Sequence, residues 1–277
     1  MQFKSVNLDL SVPRVMGILN VTPDSFSDGG QFYQKEHALR QAEKMIKDGA
    51  HFIDIGGEST RPGAKAVSLQ EELDRTIPAV ESISSTFDTI VSIDTSKPQV
   101  MLEAVAAGAA LINDVRALQE DDALQVAAST GANVCLMHMQ GQPRSMQVSP
   151  HYHDVVDDVA AFLAERVAAC EAAGISRNQI LIDPGFGFGK TLSHNYQLLD
   201  RLEELHSLKI PLLVGMSRKS MIGNVLKRDV NDRQAGSIAA ATIACIKGAQ
   251  IHRVHDVKET VDALKIVSAM RTDFEYK

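Results

Sequence analysis

The 277-residue sequence lacks any apolar run that could cross a membrane. Its longest nearly apolar run, Ile238 to Ile246, is far shorter than the roughly 20 residues that a membrane-spanning helix needs. The first residues also lack the apolar core of a secretion signal. Cysteine is scarce, and the three cysteines have no metal-ligand spacing. We therefore expect no membrane partner and a cytoplasmic protein with free thiols.

An excess of positive charge is also absent. Lys and Arg number 28 against 35 Asp and Glu, so the formal net charge is −7. A chain this acidic has no overall attraction for nucleic acid, and we expect no nucleic-acid partner. Any site for an anion must therefore be a local basic cluster. The hydrophobic fraction of 44% is enough for a large core.

The glycine motifs of nucleotide-binding folds are missing as well. The segment 185–189, GFGFG, has the wrong spacing for a dinucleotide-binding GxGxxG loop. Gly189-Lys190-Thr191 ends like a phosphate-binding P-loop, but Pro184 stands where that motif needs its first glycine. We reject both motifs. No linker or low-complexity stretch interrupts the chain, so we expect one domain over residues 1–277.

Short β-rich runs alternate with helical patterns along most of the chain. The predicted strands are Val15–Asn20, His51–Gly56, Ile90–Asp94, Ala110–Asp114, Asn133–His138, Ile180–Asp183, Pro211–Met216 and Gln250–His255. Repeated strand–helix units indicate an α/β fold with parallel strands and crossover helices. Eight such units favour a closed (β/α)8 TIM barrel over an open doubly wound sheet. The alternating segment 3–14 is expected to form an N-terminal β-hairpin covering the barrel bottom.

Three local patterns predict helix boundaries. Ser68-Leu69-Gln70-Glu71 is a capping box that opens the second helix of the repeat. Pro78 lies inside that helical pattern, and we expect it to kink or shorten the helix. The third helix is predicted to begin at Ser96 and to end at Gly108.

Polar residues end seven of the eight predicted strands. They are Asn20, the run 56–61 (GGESTR), Asp94, Asn113-Asp114, His138, Asp183 and Arg253 with His255. One such residue is usually a turn former or a helix cap. The carboxyl ends of barrel strands, however, meet at one mouth where barrel enzymes carry their chemistry. Together these residues predict a functional pocket at that mouth.

Two of the loops at this mouth are unusually long. They span Val21 to Gln34 and Gly57 to Val67. Strand-to-helix loops usually have about 2–6 residues, and longer ones often cover a site. We expect two lids, with tolerated insertions as the alternative.

Asp94, Asn113, Asp183 and Lys219 offer carboxylates, an amide and a cation at the predicted mouth. A flat heterocycle with an amino-pyrimidinone edge needs this set, because a carboxylate can accept two parallel N–H bonds from a guanidine-like edge. The alternative for Lys219 is a charge partner for one of the aspartates.

Arg61, Arg253 and His255 form a basic group that we treat as separable from the carboxylates. Arg253 and His255 are two residues apart on a strand and should face the same way. With Asn20 they could hold a phosphate or diphosphate that Mg²⁺ bridges through a single protein ligand. A structural pair between His255 and Asp256 is the alternative.

Several longer motifs follow one another along the chain. They are 17–28 (GILNVTPDSFSD), 53–63 (IDIGGESTRPG), 94–96 (DTS), 113–114 (ND), 183–190 (DPGFGFGK), 217–220 (SRKS) and 253–256 (RVHD). In sequence and order they resemble the bacterial dihydropteroate synthases, a family of pterin-binding enzymes. The resemblance covers essentially the whole chain, and no functional position departs from the family pattern.

This resemblance implies a barrel that is usually a homodimer and acts in folate biosynthesis. The expected reaction joins the diphosphate of 6-hydroxymethyl-7,8-dihydropterin to 4-aminobenzoate, gives 7,8-dihydropteroate and releases pyrophosphate. The family is a transferase family and the target of sulfonamides. The expected partners are therefore these small-molecule substrates and a second copy of the chain, with Mg²⁺ as cofactor.

The resemblance also assigns residues to subsites. The pterin would contact Asp94, Asn113, Met137, Asp183 and Lys219. The diphosphate would contact Asn20, Arg61, Arg253 and His255, and Mg²⁺ would bind Asn20. The 4-aminobenzoate would contact Phe26, Thr60, Pro62, Phe188, Ser217 and Lys219. The residues expected to act in catalysis are Asp94, Lys219, Arg61, Arg253 and His255.

Two other functions share this barrel. A pterin-dependent methyltransferase would keep the aspartates and Asn113 but would need neither a diphosphate site nor an aminobenzoate loop. The runs 60–62 (TRP) and 217–219 (SRK) argue against it. A non-catalytic pterin-binding paralogue would have lost Arg61, Lys219 or Arg253, and all three are present.

Overall fold

The structure, a computed structural model, describes residues 1–22, 31–59, 66–141 and 150–271, without the side chains of residues 31–34. The predicted site residues Phe26, Thr60, Arg61 and Pro62 lie outside the described residues. No helix in the described ranges is both long enough and apolar enough to span a membrane.

Eight parallel strands form the central sheet. Their bounds are β3 (Arg14–Asn20), β4 (Phe52–Gly56), β5 (Ile90–Asp94), β6 (Leu111–Asp114), β7 (Asn133–Met137), β8 (Ile180–Asp183), β9 (Leu213–Val214) and β10 (Ile251–Val254). Neighbouring strands in the sheet follow the order β8-β7-β6-β5-β4-β3-β10-β9. A parallel bridge between Ile182 and Leu212 joins the two ends of this order. The strands therefore form a nearly closed barrel, and the TIM-barrel prediction is confirmed.

Helices connect successive strands. They are α1 (Gln31–Lys47), α2 (Leu69–Thr86), α3 (Pro98–Ala107), α4 (Ala123–Thr130), α5 (Val155–Ala172), α6 (Leu192–Asp200), α7 (Ser220–Leu226), α8 (Gln234–Ile246) and α9 (Val257–Arg271). One α-helix follows each barrel strand except β9, which is followed by both α7 and α8. The predicted strand–helix repeat is therefore present in full.

The structure confirms some of the predicted helix boundaries and corrects others. The capping box at Ser68 is formed, with the Ser68 side chain and Glu71 satisfying each other's backbone N–H groups. Of the two effects expected of Pro78, shortening does not occur, because α2 continues past it to Thr86. The third helix begins at Pro98, with extended Lys97 before it, rather than at Ser96. Proline suits the first turn of a helix, where its missing N–H group is not needed.

Barrel strands are buried on both sides because their side chains alternate between two cores. Outward-facing residues such as Ile53, Ile55, Val91 and Ile93 belong to the large cluster that packs the strands against the helices. Inward-facing residues belong to a second cluster at the bottom of the barrel. In register, Phe52 of β4 stands between Met16 of β3 and Ile90 of β5 in that second cluster.

The N-terminal segment closes the bottom of the barrel, as predicted. Strands β1 (Gln2–Phe3) and β2 (Val6–Asn7) pair antiparallel as a hairpin. Phe3 is fully buried, and its ring meets the Phe52 ring edge-on with the centroids 5.1 Å apart. Leu8 joins the same cluster. The hairpin therefore completes the lower core and leaves the opposite end of the barrel to carry the site.

Towards the other end of the barrel, inward-facing side chains change from apolar to polar. Two residues after the apolar inward positions Phe52, Ile90, Leu111, Leu181 and Ile251 come polar residues. These are Asp54, Ser92, Asn113, Asp183 and Arg253. A period of two keeps both members of each pair on the same face of the strand. Each of these five strands thus supplies an apolar residue to the bottom core and a polar residue near the mouth.

Replacing Phe3 by alanine tests the role of the hairpin. Removing a fully buried aromatic ring from a packed core costs about 3–5 kcal/mol, so we expect a loss of this size in the free energy of unfolding. Denaturant titration measures it. Val12→Ala is the control, because Val12 is 40% exposed and should change the value by less than about 0.5 kcal/mol. Equal, small losses in both variants would show that the hairpin does not complete the core.

Candidate active site

Asp54 on β4 lies at the centre of the polar side chains inside the barrel. Its Oδ1 accepts a hydrogen bond from Ser92 Oγ at 2.5 Å, and its Oδ2 accepts one from Asn113 Nδ2 at 3.2 Å. Arg253 Nε donates to the same Oδ2 at 2.6 Å. Asp54 is fully buried, so each of these bonds replaces contact with water that burial has removed. The contacts join strands β4, β5, β6 and β10.

Arg253 connects this central carboxylate to a second one. Its Nη2 donates to Asp94 Oδ2 at 2.7 Å while its Nε holds Asp54. Burial alone would lower the pKa of Arg253, but its two carboxylate partners raise the pKa above the ordinary value. The guanidinium therefore remains charged. The prediction of a separable basic group is wrong for Arg253, because its side chain is part of the carboxylate cluster.

Asp94 ends β5 and is the carboxylate of this cluster nearest the mouth. Burial raises the pKa of Asp94 to about 7, with Arg253 opposing the rise and Asp54 adding to it. A carboxyl with this pKa changes charge close to neutral pH, where a bound ligand with N–H donors would favour its ionised form.

Asp183 ends β8 on another part of the mouth. Its Oδ1 accepts from the Gly185 N–H at 2.7 Å, which anchors the start of the loop 185–189. Burial raises the pKa of Asp183, and the positive charge of Lys219 opposes the rise. Asp183 is 5% exposed.

Lys219 lies in the segment after β9, and its side chain reaches the loop after β8. Its Nζ donates to the Phe186 carbonyl oxygen at 2.6 Å and stands 4.4 Å from the centre of the Phe188 ring. Burial lowers the pKa of Lys219 to about 8, while the charge of Asp183 opposes the shift. Within the described residues Lys219 has no carboxylate oxygen within 4.0 Å, so its interaction with Asp183 acts at longer range.

An apolar wall completes this side of the mouth. Met137 at the end of β7, Val115 and Phe188 form one small buried cluster, with Met139 packed against it. A flat aromatic ligand lying against Met137 would have its edge near Asp183, which is the register partner of Met137 on β8. The structure thus puts Met137 and Phe188, both predicted site residues, on one surface.

A left-handed turn presents Ser217 and Lys219. Between them, Arg218 has a φ of +58° and directs its guanidinium to both carboxylate oxygens of Asp256. The Ser217 Oγ accepts from the His255 N–H at 3.2 Å and lies 3.0 Å from His255 Nδ1. Asp256 is therefore the ion-pair partner of Arg218, and His255 is hydrogen-bonded to a predicted neighbour in the site.

Asn20 and His255 border a cavity of about 540 Å³ at the rim of the barrel. The cavity is also lined by Arg218 and by His37 and Lys44 of α1. The carboxylate cluster contributes no lining residue, so the cavity does not include the cluster. Asn20 Oδ1 and Asp94 Oδ2 each lie 3.7 Å from the point where a Cβ on Gly56 would stand. Asn20 and Asp94 therefore approach the same side of Gly56.

The structure brings together most of the predicted site. Asp94, Asn113, Asp183, Lys219, Met137, Phe188 and Ser217 surround the mouth together with Arg253, His255 and Asn20. Four predicted residues, Phe26, Thr60, Arg61 and Pro62, lie outside the described residues.

Asp54 is the residue that the sequence-based site prediction missed. A signal was present, because Asp54 is a lone carboxylate between Ile53 and Ile55 in an otherwise apolar strand. A charge in such a position is costly unless it is paired. Asp114 shows the opposite case: its carboxylate accepts from the Arg116 N–H at 2.9 Å and from the Leu118 N–H at 2.7 Å, and so shapes a loop.

Comparison with known proteins agrees with this geometry. The family described as "Pterin binding enzyme" matches residues 16–255. The dihydropteroate synthase of Escherichia coli K12 is 56% identical over 274 residues, which cover 99% of this chain and 97% of that protein.

Solved structures show the same relationship. The Yersinia pestis dihydropteroate synthase in a sulfonamide drug complex superposes with a TM-score of 0.94 at 58% identity, covering 98% of each chain. The Xanthomonas albilineans enzyme with 4-aminobenzoic acid superposes with a TM-score of 0.90 at 50% identity, covering 96% of this chain and 95% of that one. The chain therefore belongs to the pterin-binding enzyme family, and within it to the dihydropteroate synthases.

Proposed function

We propose that this barrel mouth transfers a dihydropterin-methyl group from its diphosphate to the amine of 4-aminobenzoate, as a transferase of folate biosynthesis. The observation that carries the residue assignment is the convergence of Asp94, Asn113 and Asp183 beside Lys219 and an apolar wall. Two carboxylates, an amide and a cation match the alternating donors and acceptors of a pterin.

The pterin ring would lie against Met137 with its edge towards the strand ends. Asp183 is the natural acceptor for the guanidine-like edge, because a carboxylate offers two acceptor oxygens in one plane. The Asn113 amide is fixed in orientation by its hydrogen bond to Asp54, so it can present a constant pattern to the ring. Asp54 thus supports the site without being exposed to the ligand.

The diphosphate would occupy the side of the mouth that Asn20, His255 and Arg253 border. Cationic and N–H donors there would stabilise the negative charge that develops on the leaving group. Arg61 would join them from the second long loop. Because Arg253 also holds Asp54 and Asp94, it would couple the diphosphate position to the pterin position.

Mg²⁺ would bind on the same side, with Asn20 as its protein ligand. Within the described residues, no group of three or more His, Cys, Asp or Glu side chains could hold a metal ion. An amide oxygen plus diphosphate and water oxygens is a suitable set for Mg²⁺, which keeps several waters and often binds through substrate phosphates. When bound, Mg²⁺ would neutralise charge on the leaving diphosphate.

The 4-aminobenzoate would approach from the loop side of the mouth. Ser217 offers a hydroxyl, Lys219 a cation and Phe188 an aromatic face, which suit a ring that carries a carboxylate. Phe26, Thr60 and Pro62 would complete this subsite from the two long loops.

No protein nucleophile is needed, because the attacking group is the aromatic amine of the substrate. The bond between the pterin methylene carbon and the diphosphate oxygen breaks, a carbon–nitrogen bond forms, and the amine loses a proton. An aryl amine is a weak nucleophile, so departure of the diphosphate should lead. Asp94, when ionised, would stabilise positive charge at the methylene.

We also infer a homodimer and a cytoplasmic location. Exposed apolar side chains concentrate on α7, α8 and α9 and on the short segment after α7. They are Val225, Leu226, Val230, Ile243, Ile246, Ile266 and Met270. A patch of this kind on neighbouring helices supports a face for a second copy. The three buried free cysteines support a reducing compartment.

A coupled assay for pyrophosphate release tests the proposed reaction. We expect release only when the pterin diphosphate, 4-aminobenzoate and Mg²⁺ are all present, with dihydropteroate formed in equal amount. A methyltransferase would not need 4-aminobenzoate, and a non-catalytic paralogue would release nothing. Either of those results would overturn the assignment.

Asp183→Asn should weaken pterin binding without unfolding the protein. The variant places an N–H group against a ligand N–H group, and losing a buried charged hydrogen bond costs at least about 2 kcal/mol, or roughly 30-fold in affinity. Calorimetric titration with 6-hydroxymethylpterin measures the loss. Asp114→Asn is the matched control. Asp114 is buried at another strand end but, among the described residues, bonds only to its own loop and to Ser96. Equal losses in both variants would remove Asp183 from the pterin subsite.

The pH profile should show two limbs. As the pH falls through about 7, Asp94 gains a proton and its carboxylate is lost. As the pH rises through about 8, Lys219 loses its proton and its positive charge. We therefore expect kcat/KM for the pterin diphosphate to fall on both sides of this interval.

Lys219→Arg provides the control for the alkaline limb. Arginine stays protonated throughout this range, so the fall at high pH should disappear even where the overall rate is lower. An unchanged alkaline limb in this variant would show that Lys219 does not cause it. Any ionisation of the substrate itself affects the pH profiles of the wild-type protein and of the variant equally, so it cancels when the two profiles are compared.

A further inference from the structure

Lys190 is a buried lysine that lies directly behind the loop 185–189. It is only 2% exposed. Its Nζ lies 2.9 Å from the Gly185 carbonyl oxygen, 3.1 Å from the Phe188 carbonyl oxygen and 2.9 Å from His138 Nδ1. Among the described residues it forms no ion pair with a carboxylate. A long charged side chain is seldom buried in this way without a specific role.

The three contacts of the Lys190 amine are satisfied in either protonation state. An ammonium donates to both carbonyl oxygens and to the lone pair of His138 Nδ1. A neutral amine donates to the two carbonyls and accepts from Nδ1–H. Burial lowers the pKa of Lys190 well below its ordinary value and lowers the pKa of His138 to about 2. The imidazole is therefore neutral, and the contacts do not depend on which group carries the proton.

The opposite side of the same loop faces the site. The Gly185 N–H donates to Asp183, the Phe186 carbonyl accepts from Lys219, and the Phe188 ring lies under the Lys219 amine. The Phe188 N–H donates to the Gly185 carbonyl at 3.1 Å, which closes a turn over these four residues. Lys190 binds the carbonyls at both ends of this turn.

Other contacts hold the loop farther from the site. The Gly187 N–H donates to Asn195 Oδ1 at 2.6 Å, and the Tyr152 hydroxyl donates to the Gly189 carbonyl at 2.6 Å. Gly185, Gly187 and Gly189 have φ values of +69°, +81° and +61°, which only glycine adopts without strain. A loop so rich in glycine has many conformations open to it in the unfolded chain. A side chain that fixes its shape therefore matters more here than in an ordinary turn.

We propose that Lys190 is a positioning residue, which holds the Gly185–Phe188 turn so that Asp183, Lys219 and Phe188 keep their places in the pterin subsite. This inference rests on the proposed function for the identity of the ligand. That Lys190 holds the turn does not depend on the proposed function. On the diphosphate side of the mouth, Arg253 binds Asp54 and Asp94, and His255 binds Ser217. The turn itself is bound by Asp183, Lys190 and Lys219. Replacing Lys190 should therefore weaken binding of the pterin part of the substrate and leave binding of the diphosphate part unchanged.

The test uses Lys190→Met, which keeps the length of the side chain and removes its donors. A second variant, His138→Phe, keeps an aromatic ring against Phe162 and removes only the third partner of the amine. Lys247→Met is the matched control. Like Lys190, Lys247 donates to a backbone carbonyl, that of Asp200, and it also binds the carboxylate of Glu203. It lies at the end of α8, away from the mouth.

Two measurements separate positioning from general loss of structure. Calorimetry measures the affinities for 6-hydroxymethylpterin and for inorganic pyrophosphate with Mg²⁺. Hydrogen exchange measures protection of the Gly185 and Phe188 amides without any ligand. We expect Lys190→Met to lose at least about tenfold in pterin affinity, to keep pyrophosphate affinity within about twofold, and to exchange both amides faster. His138→Phe should show the same pattern to a smaller extent, and Lys247→Met should show none of it.

Each other result overturns the inference. Unchanged amide exchange would show that Lys190 does not hold the turn, whatever the ligands do. Faster exchange with unchanged pterin affinity would show that the turn does not position the subsite. Equal losses for pterin and pyrophosphate would indicate a general structural defect. Should Lys190→Met fail to fold, His138→Phe decides the same question. If the wild-type protein bound neither ligand, the proposed function would fail, and amide exchange would still decide whether Lys190 holds the turn.

Discussion

Arg253 donates hydrogen bonds to Asp54 and to Asp94, and this double ion pair holds the polar end of the barrel together. Two carboxylates side by side in a buried place would repel each other and each would lose its hydration. The guanidinium between them offsets both costs and fixes their relative positions. Because Asp54 also binds Ser92 and Asn113, these contacts join four strands, which are β4, β5, β6 and β10. These contacts fix the polar end of the barrel, where we propose that the pterin binds.

The barrel supports this arrangement by separating apolar from polar layers. Phe3 of the hairpin and the lower inward side chains form a closed apolar core, so the charged layer above it is reached only from the mouth. Loops from different strands then contribute groups with distinct chemistry. The loop 185–189 brings an aromatic ring and a carbonyl to Lys219, and the turn at Arg218 brings Ser217 to His255. The rigid strands thus provide the acceptors, and the loops provide the surfaces around them.

Local patterns predicted much of this molecule because they depend on neighbours in sequence. The capping box at Ser68 formed as expected, since its two hydrogen bonds join residues three apart. The strand ends at Asp94, Asn113 and Asp183 were predicted for a similar reason, because a period of two and a parallel sheet place them at one mouth. Pro78 shows the limit of such rules: its position suggested a kinked or shortened helix, yet α2 continues to Thr86 with Ala79, Val80 and Ile83 in the core.

The sequence by itself determined the barrel, its hairpin and the family to which the chain belongs, because alternation and long motifs are properties of the chain read in order. Only the tertiary structure decided which charges meet. Arg253 lies 199 residues from Asp54 and 159 from Asp94, and no local spacing relates them. Their contact follows from the order and register of the strands, because β3 alone separates β10 from β4, and β5 is the next strand after β4. The same holds for Lys190 and His138, which meet only because two loops pack together.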